Sequence, residues 1–198
     1  IDNHHHFATL DTSDTGNHPC RGNVAGIHPV GGKLSDLKKW RTGIEQLCQP
    51  VARQQLSTAD VTFAGFGGHP IKAWVTRPAG SATDGSSLPA VVEFIGYGGG
   101  RGRPHERLAW AAAGYVHLLM DTRGQGSGWG SGGGTPDPVG SGPHAPGFMT
   151  RGILDPAEHF YRRVFTDGVR AVEAVRALHG VDPTRVAVTG GSQGGAVT

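Results

Sequence analysis

Val188-Thr189-Gly190-Gly191-Ser192-Gln193-Gly194-Gly195 is the stretch on which the fold turns. Arg185-Val186-Ala187-Val188-Thr189 leads into it as a strand, and the residues after it have the room to begin a helix. A strand that breaks at Gly-x-Ser-x-Gly and restarts as a helix forms a nucleophile elbow. The logic is steric: the serine occupies a tight, strained turn, so Gly190 and Gly194 must carry no side chains. The turn lifts the Ser192 hydroxyl off the sheet toward a substrate carbonyl. It also sets the Gln193 backbone N–H at a helix N-terminus, where it stabilises an oxyanion. The same letters also spell a plain glycine-rich turn with a surface serine, and it is the preceding strand that favours the elbow.

Upstream, Asp155-Pro156-Ala157-Glu158 opens the clearest helix of the chain, with Asp155 as N-cap, Pro156 at N1 and Glu158 at N3. Phe160, Val164, Val169, Val172, Val175 and Leu178 supply its apolar face, and Gly180 stops it. Thr122 to Gly147 holds ten Gly and four Pro in 26 residues without a period, a loop length uncommon in compact domains unless it serves a site. Tyr115-Val116-His117-Leu118-Leu119-Met120-Asp121 and Ala90-Val91-Val92-Glu93-Phe94-Ile95 are nearly continuous apolar runs, as strands buried on both faces require. Glu106 to Ala113 reads as a helix between them. Val61 to Phe66 and Ile71 to Thr76 form a hairpin across Gly67-Gly68, with Ile71, Ala73 and Val75 on one face.

A hairpin followed by strand, helix, strand, helix, strand gives a mixed sheet with an α/β core. Right-handed crossovers bring the C-terminal ends of the parallel strands to one edge, where ligands bind. Gly96-Tyr97-Gly98, Thr122-Arg123-Gly124-Gln125 and Gly190-Gly191-Ser192 sit at such ends. The glycines of Gly96-Tyr97-Gly98-Gly99-Gly100 let the backbone approach a substrate, so that Tyr97 offers its N–H and sets its ring near the pocket; the alternative is a flexible turn. Phosphate binding is disfavoured. Gly128-Trp129-Gly130-Ser131-Gly132-Gly133 matches G-x-G-x-x-G but lies inside the loop, and Gly32-Lys33 has Ile27 where a phosphate loop needs glycine.

Of the 198 residues, 34 are Gly and 13 are Pro, yet 36% are hydrophobic and only 17% charged, which excludes global disorder. A net charge of +2 demands neither a nucleic-acid nor a membrane partner. No apolar run approaches the roughly 20 residues of a membrane span. Residues 1–33 read as coil, and His4-His5-His6 lacks the further ligands of a metal site. Leu34, Leu37, Trp40, Ile44 and Leu47 make one helical stripe between Ser35 and Pro50. Cys20 and Cys48 read as free thiols of a reducing compartment, with a single bridge in a secreted protein as the alternative; no signal peptide is visible, and the expected location is cytoplasmic.

Taken together, the residues from about 60 to 198 resemble the acetyl xylan esterase/cephalosporin C deacetylase family of carbohydrate esterases, within the α/β-hydrolases. The resemblance rests on Val91 to Gly100, Met120 to Trp129, Pro146 to Ile153, Tyr161 to Asp167 and Val188 to Gly195, with the Arg-Gly-Gln and Gly-x-Ser-Gln-Gly pair the most specific part. It implies an α/β-hydrolase fold with Ser192 as nucleophile and the backbone N–H groups of Tyr97 and Gln193 as oxyanion hole. Arg123 and Gln125 become structural support near the site. The implied activity is removal of acetyl groups from acetylated sugars, xylo-oligosaccharides or cephalosporin C, without metal or cofactor, in a homo-oligomeric, hexameric protein.

Two departures accompany it. Residues 1–59 read as a divergent segment, and 60–198 as the N-terminal part of the hydrolase domain. In this fold the triad runs Ser, acid, His, yet no Asp, Glu or His follows Ser192, while His105, His117, His144 and His159 precede it. The expectation is an N-terminal part of a longer enzyme, ending after the elbow, with negligible activity by itself. The rival readings are another hydrolase of this fold, a peptidase or a dienelactone-type enzyme, and a non-catalytic fragment.

Overall fold

In a computed structural model of the chain, the described residues are 55–129, 132–139 and 147–198. The 34–47 helix, the histidine tract, both cysteines and His144 lie outside them. β1 (Leu56–Ala64) and β2 (Pro70–Pro78) form the leading antiparallel hairpin, with Val61 opposite Ala73. Its turn is the 3-10 segment Phe66–Gly68, where Gly67 and Gly68 take φ of 65° and 77°, values that favour glycine. β1 begins at Leu56, upstream of the expected Val61.

β3 (Leu88–Phe94), β4 (Val116–Met120) and β5 (Val181–Gly190) complete a five-stranded sheet of order β1-β2-β4-β3-β5. β4 pairs antiparallel with β2, then β4, β3 and β5 run parallel. All five residues of β4 are buried, as its unbroken apolar run requires. On one face Ile71, Ala73, Val75, Ala90, Val92, Phe94, Leu118 and Met120 meet Ala171 and Val175 of the long helix α2 (Phe160–Arg176). His117 is buried on the opposite face of β4, with its Nε2 3.0 Å from Glu93 Oε2.

Three helical expectations need correction. The helix expected over 106–113 is only α1 (Ala109–Ala112), because the Glu106 carboxylate folds back to accept the Arg103 N–H at 3.1 Å and closes a separate turn. α2 starts at Phe160, not after Asp155. The Asp155 carboxylate accepts the Ala157 N–H at 2.8 Å, so the capping signal is real but serves a turn, and His159 is extended with ψ 129°. That reversal lets Phe160 donate to the Arg151 carbonyl and stack on Phe148 at 5.3 Å. Finally, Val169 points outward at 61% exposure, while Arg163 and Asp167 face inward, so the buried stripe of α2 is partly charged.

Candidate active site

Ser192 links β5 to α3 (Gln193–Val197) at φ 55° and ψ −121°. Among the described residues it alone has a positive φ without being glycine. Such a conformation costs of order 1–3 kcal/mol and persists only where the surroundings hold it. They do so by excluding atoms on both sides. A Cβ on Gly190 would lie 2.4 Å from the Gly194 carbonyl carbon, and one on Gly194 would lie 2.2 Å from the Phe94 carbonyl oxygen. At Gly191 a Cβ would meet only open space, and Ser192 itself is exposed.

The segment after β3 approaches the elbow closely. A Cβ on Gly96 would stand 3.6 Å from the Gly191 carbonyl oxygen and 4.0 Å from Ser192 Cβ. Gly98, at φ 75°, donates its N–H to Gln125 Oε1 at 2.7 Å. The N–H groups of Tyr97 and Gln193 have no acceptor among the described residues. The Tyr97 ring makes contacts of its own with the segment that begins at Gly147. Its hydroxyl accepts the N–H groups of Gly147 and Phe148 at 3.0 and 3.3 Å, and Phe148 packs edge-on against it at 5.3 Å. Phe148 is thereby core, as ordinary packing predicts. Trp129, half exposed, donates its indole N–H to the Tyr97 carbonyl at 2.7 Å and lays its ring against Gly96 and Gly99.

Arg123 and Gln125 divide the support between them. Arg123 is wholly buried and donates twice to Asp167, at 2.6 and 2.7 Å, while Asp167 also accepts the Phe66 N–H at 2.8 Å. Beside it Asp137 accepts from Arg163 at 2.7 and 3.2 Å, with Arg123 3.5 Å away. Burial pushes the Asp137 carboxyl upward, but the Arg163 and Arg123 guanidinium groups hold it below the usual carboxylate range. This charge network ties Arg123 and Asp137 to α2 and to the hairpin turn. Gln125 instead reaches the elbow: its Nε2 donates to Gln193 Oε1 at 2.9 Å, and Gln193 Nε2 returns a bond to Gln125 Oε1 at 3.2 Å. Tyr161 donates its hydroxyl to the same Gln193 Oε1 at 2.8 Å.

Sequence reasoning missed Asp137, Asp167, Arg163 and Tyr161 as supports. The signal for Tyr161, Arg163 and Asp167 is the Tyr161 to Asp167 stretch that carries the resemblance, with Arg163 and Asp167 at i, i+4 spacing on α2; nothing local marks Asp137. Of the upstream histidines within the described residues, His105 is in a loop, His117 in β4 and His159 just before α2, and none of these three hydrogen-bonds Ser192. No group of three metal-ligating side chains occurs among the described residues, and no helix there is long and apolar enough to cross a membrane.

The chain as a whole has relatives of known structure. The family model described as acetyl xylan esterase (AXE1) matches residues 33–198. Among solved structures, the acetyl xylan esterase from Paenibacillus sp. R4 is similar at 36% identity and a TM-score of 0.63, over 86% of this chain and 55% of that one. Acetyl xylan esterase 1 from Thermoanaerobacterium sp. JW/SL YS485 is similar at 27% identity and a TM-score of 0.59, over 81% of this chain and 51% of that one. The chain thus spans about half the length of these relatives. With its mixed sheet and strand-to-helix elbow, it has an α/β-hydrolase fold.

Proposed function

The chain belongs to the acetyl xylan esterase family, and from that membership we propose that the whole protein is a serine esterase that removes acetyl groups from acetylated xylo-oligosaccharides and related acetylated sugars or cephalosporin C. The observation that carries this reading is Ser192, held in a strained elbow beside Gly96, with the backbone N–H groups of Tyr97 and Gln193 left without an acceptor among the described residues.

The chemistry is two-step acyl transfer. The Ser192 hydroxyl attacks the acetyl carbonyl and gives its proton to a general base, in this fold a histidine that follows the nucleophile in sequence. The N–H groups of Tyr97 and Gln193 receive the oxyanion as the tetrahedral intermediate forms; one such donor contributes about 3–4 kcal/mol of transition-state stabilisation. The intermediate collapses, the sugar oxygen departs with the proton from the base, and Ser192 is left acetylated. Water, deprotonated by the same base, then releases acetate. No step needs a metal or a cofactor. Gly190 and Gly194 make the turn possible, while Arg123 and Gln125 hold the loop that supports it.

Three finer features belong to the same proposal and rest on the family resemblance. They are a homo-oligomeric, hexameric assembly, a cytoplasmic location, and a hydrolase domain that takes up residues 60–198 after a divergent start. The nucleophile is tested with a fluorophosphonate probe on the whole protein. Labelling mapped to the Ser192 peptide and lost in Ser192→Ala supports the reading; labelling elsewhere, or none, contradicts it.

A further inference from the structure

We propose that Tyr161 and Gln125 are positioning residues that fix the distance between the two oxyanion N–H groups through the side chain of Gln193, an inference that rests on the esterase reading above. Gln193 and Tyr97 come from segments far apart in the chain, one after β5 and one after β3. Their backbone N–H groups converge usefully only if those segments are locked together. The lock is built from side-chain amides. Gln193 Nε2 donates to the Ile95 carbonyl at 3.3 Å, two residues before Tyr97, and Gln125 Oε1 accepts from the Gly98 N–H, one residue after it. The residue that supplies one oxyanion N–H thus grips, with its own side chain, the loop that supplies the other.

The orientation of both carboxamides is dictated by backbone groups rather than by choice. The Gly98 N–H requires an oxygen, so Gln125 must present Oε1 there and Nε2 toward Gln193. The Ile95 carbonyl requires a donor, so Gln193 must present Nε2 there and Oε1 toward Gln125 and Tyr161. Tyr161 completes the set from the first turn of α2. Burial, and then the neighbouring Tyr97, push its phenol upward, so it stays a donor at every working pH. Gln125 is fully buried and Gln193 nearly so, and a network of this kind rigidifies only when every member is satisfied.

The test uses the whole protein with Tyr161→Phe and Gln125→Met, measuring amide hydrogen exchange at Gly98 together with kcat and KM on p-nitrophenyl acetate. Exchange at Gly98 is expected to rise about tenfold in Gln125→Met and a few-fold in Tyr161→Phe, with β3 and β4 amides unchanged. In both variants kcat is expected to fall about tenfold or more while KM stays within about twofold, because a donor matched to the oxyanion acts in the transition state. Wild-type hydrolysis that both variants retain in full, or exchange that rises equally throughout the core, overturns the inference alone. A Gly98 effect in a protein without Ser192-dependent hydrolysis overturns the esterase reading and the catalytic role of the lock with it.

Discussion

Arg123 holds Asp167 through two parallel hydrogen bonds in a place that water does not reach. Two charges removed from solvent are stable there only as a pair, and Asp167 uses its remaining capacity on the Phe66 N–H. Asp167→Ala is therefore expected to cost about 3–5 kcal/mol, because it leaves Arg123 buried with the more distant Asp137 as its one carboxylate neighbour among the described residues. Denaturant unfolding measures it. Arg123→Met with Asp167→Leu, which removes both charges, should recover most of the loss; a double variant no better than the single one would show that the pair does more than neutralise itself.

Three separately paired carboxylates set an acid limit. Asp137, Glu93 and Asp60 are each held below their ordinary values of 3.8, 4.5 and 3.8. For Asp137 and Glu93 burial pushes upward but is outweighed, by Arg163 and Arg123 in one case and by His117 and Arg107 in the other; for Asp60 the hydrogen bond from Arg101 dominates. A carboxyl depressed in the folded state makes the unfolded chain bind protons first as pH falls. Their contribution is complete above about pH 5 and is lost as pH drops through the folded values. A melting temperature measured against pH should be flat near neutrality and fall steeply below about pH 4; a melting temperature that rises on acidification would contradict this.

Strain at the elbow predicts an exchange of stability for chemistry. Ser192→Gly relieves the positive φ and should stabilise the fold by about 1 kcal/mol, while Ser192→Ala keeps the strain and should not. Both remove the hydroxyl and should abolish hydrolysis. Thermal unfolding of the two variants side by side decides, and equal stability would mean that the turn is not strained.

Gly194 tests the packing of the turn without touching the serine. Its added Cβ would meet backbone, the Phe94 carbonyl oxygen, not the movable end of a side chain. Gly194→Ala is expected to cost about 1–3 kcal/mol and to displace the Gln193 N–H enough to lower kcat. Gly191→Ala, in open space, is the matched control and should change little.

The alternating and unbroken apolar runs made the sheet readable, because period-two burial and burial on both faces leave direct traces in the letters. Ile71, Ala73 and Val75 fall where alternation puts them, and β4 is buried throughout. The helices were less legible. Asp155-Pro156-Ala157-Glu158 carries a true capping pattern, but only the long-range demand to stack Phe160 on Phe148 reveals that the helix begins after it. Val169 was placed inside because it is apolar, whereas Arg163 and Asp167 occupy that face as members of an ion network that composition cannot announce. At the site, Gly190, Ser192 and Gly194 are visible as a local motif. The reach of Gln125 to Gln193 and of Tyr161 to the same amide is not, because those partners meet only after the parallel strands have been set side by side.

In the proposed function Ser192 carries the acetyl group between substrate and water. Rapid acid quenching of the whole protein during turnover of an activated acetyl ester, followed by mass spectrometry of the peptide holding Ser192, reads this directly. One added acetyl group on that serine, absent in Ser192→Ala, is expected. Continuing turnover with Ser192 unmodified at every time point would contradict it.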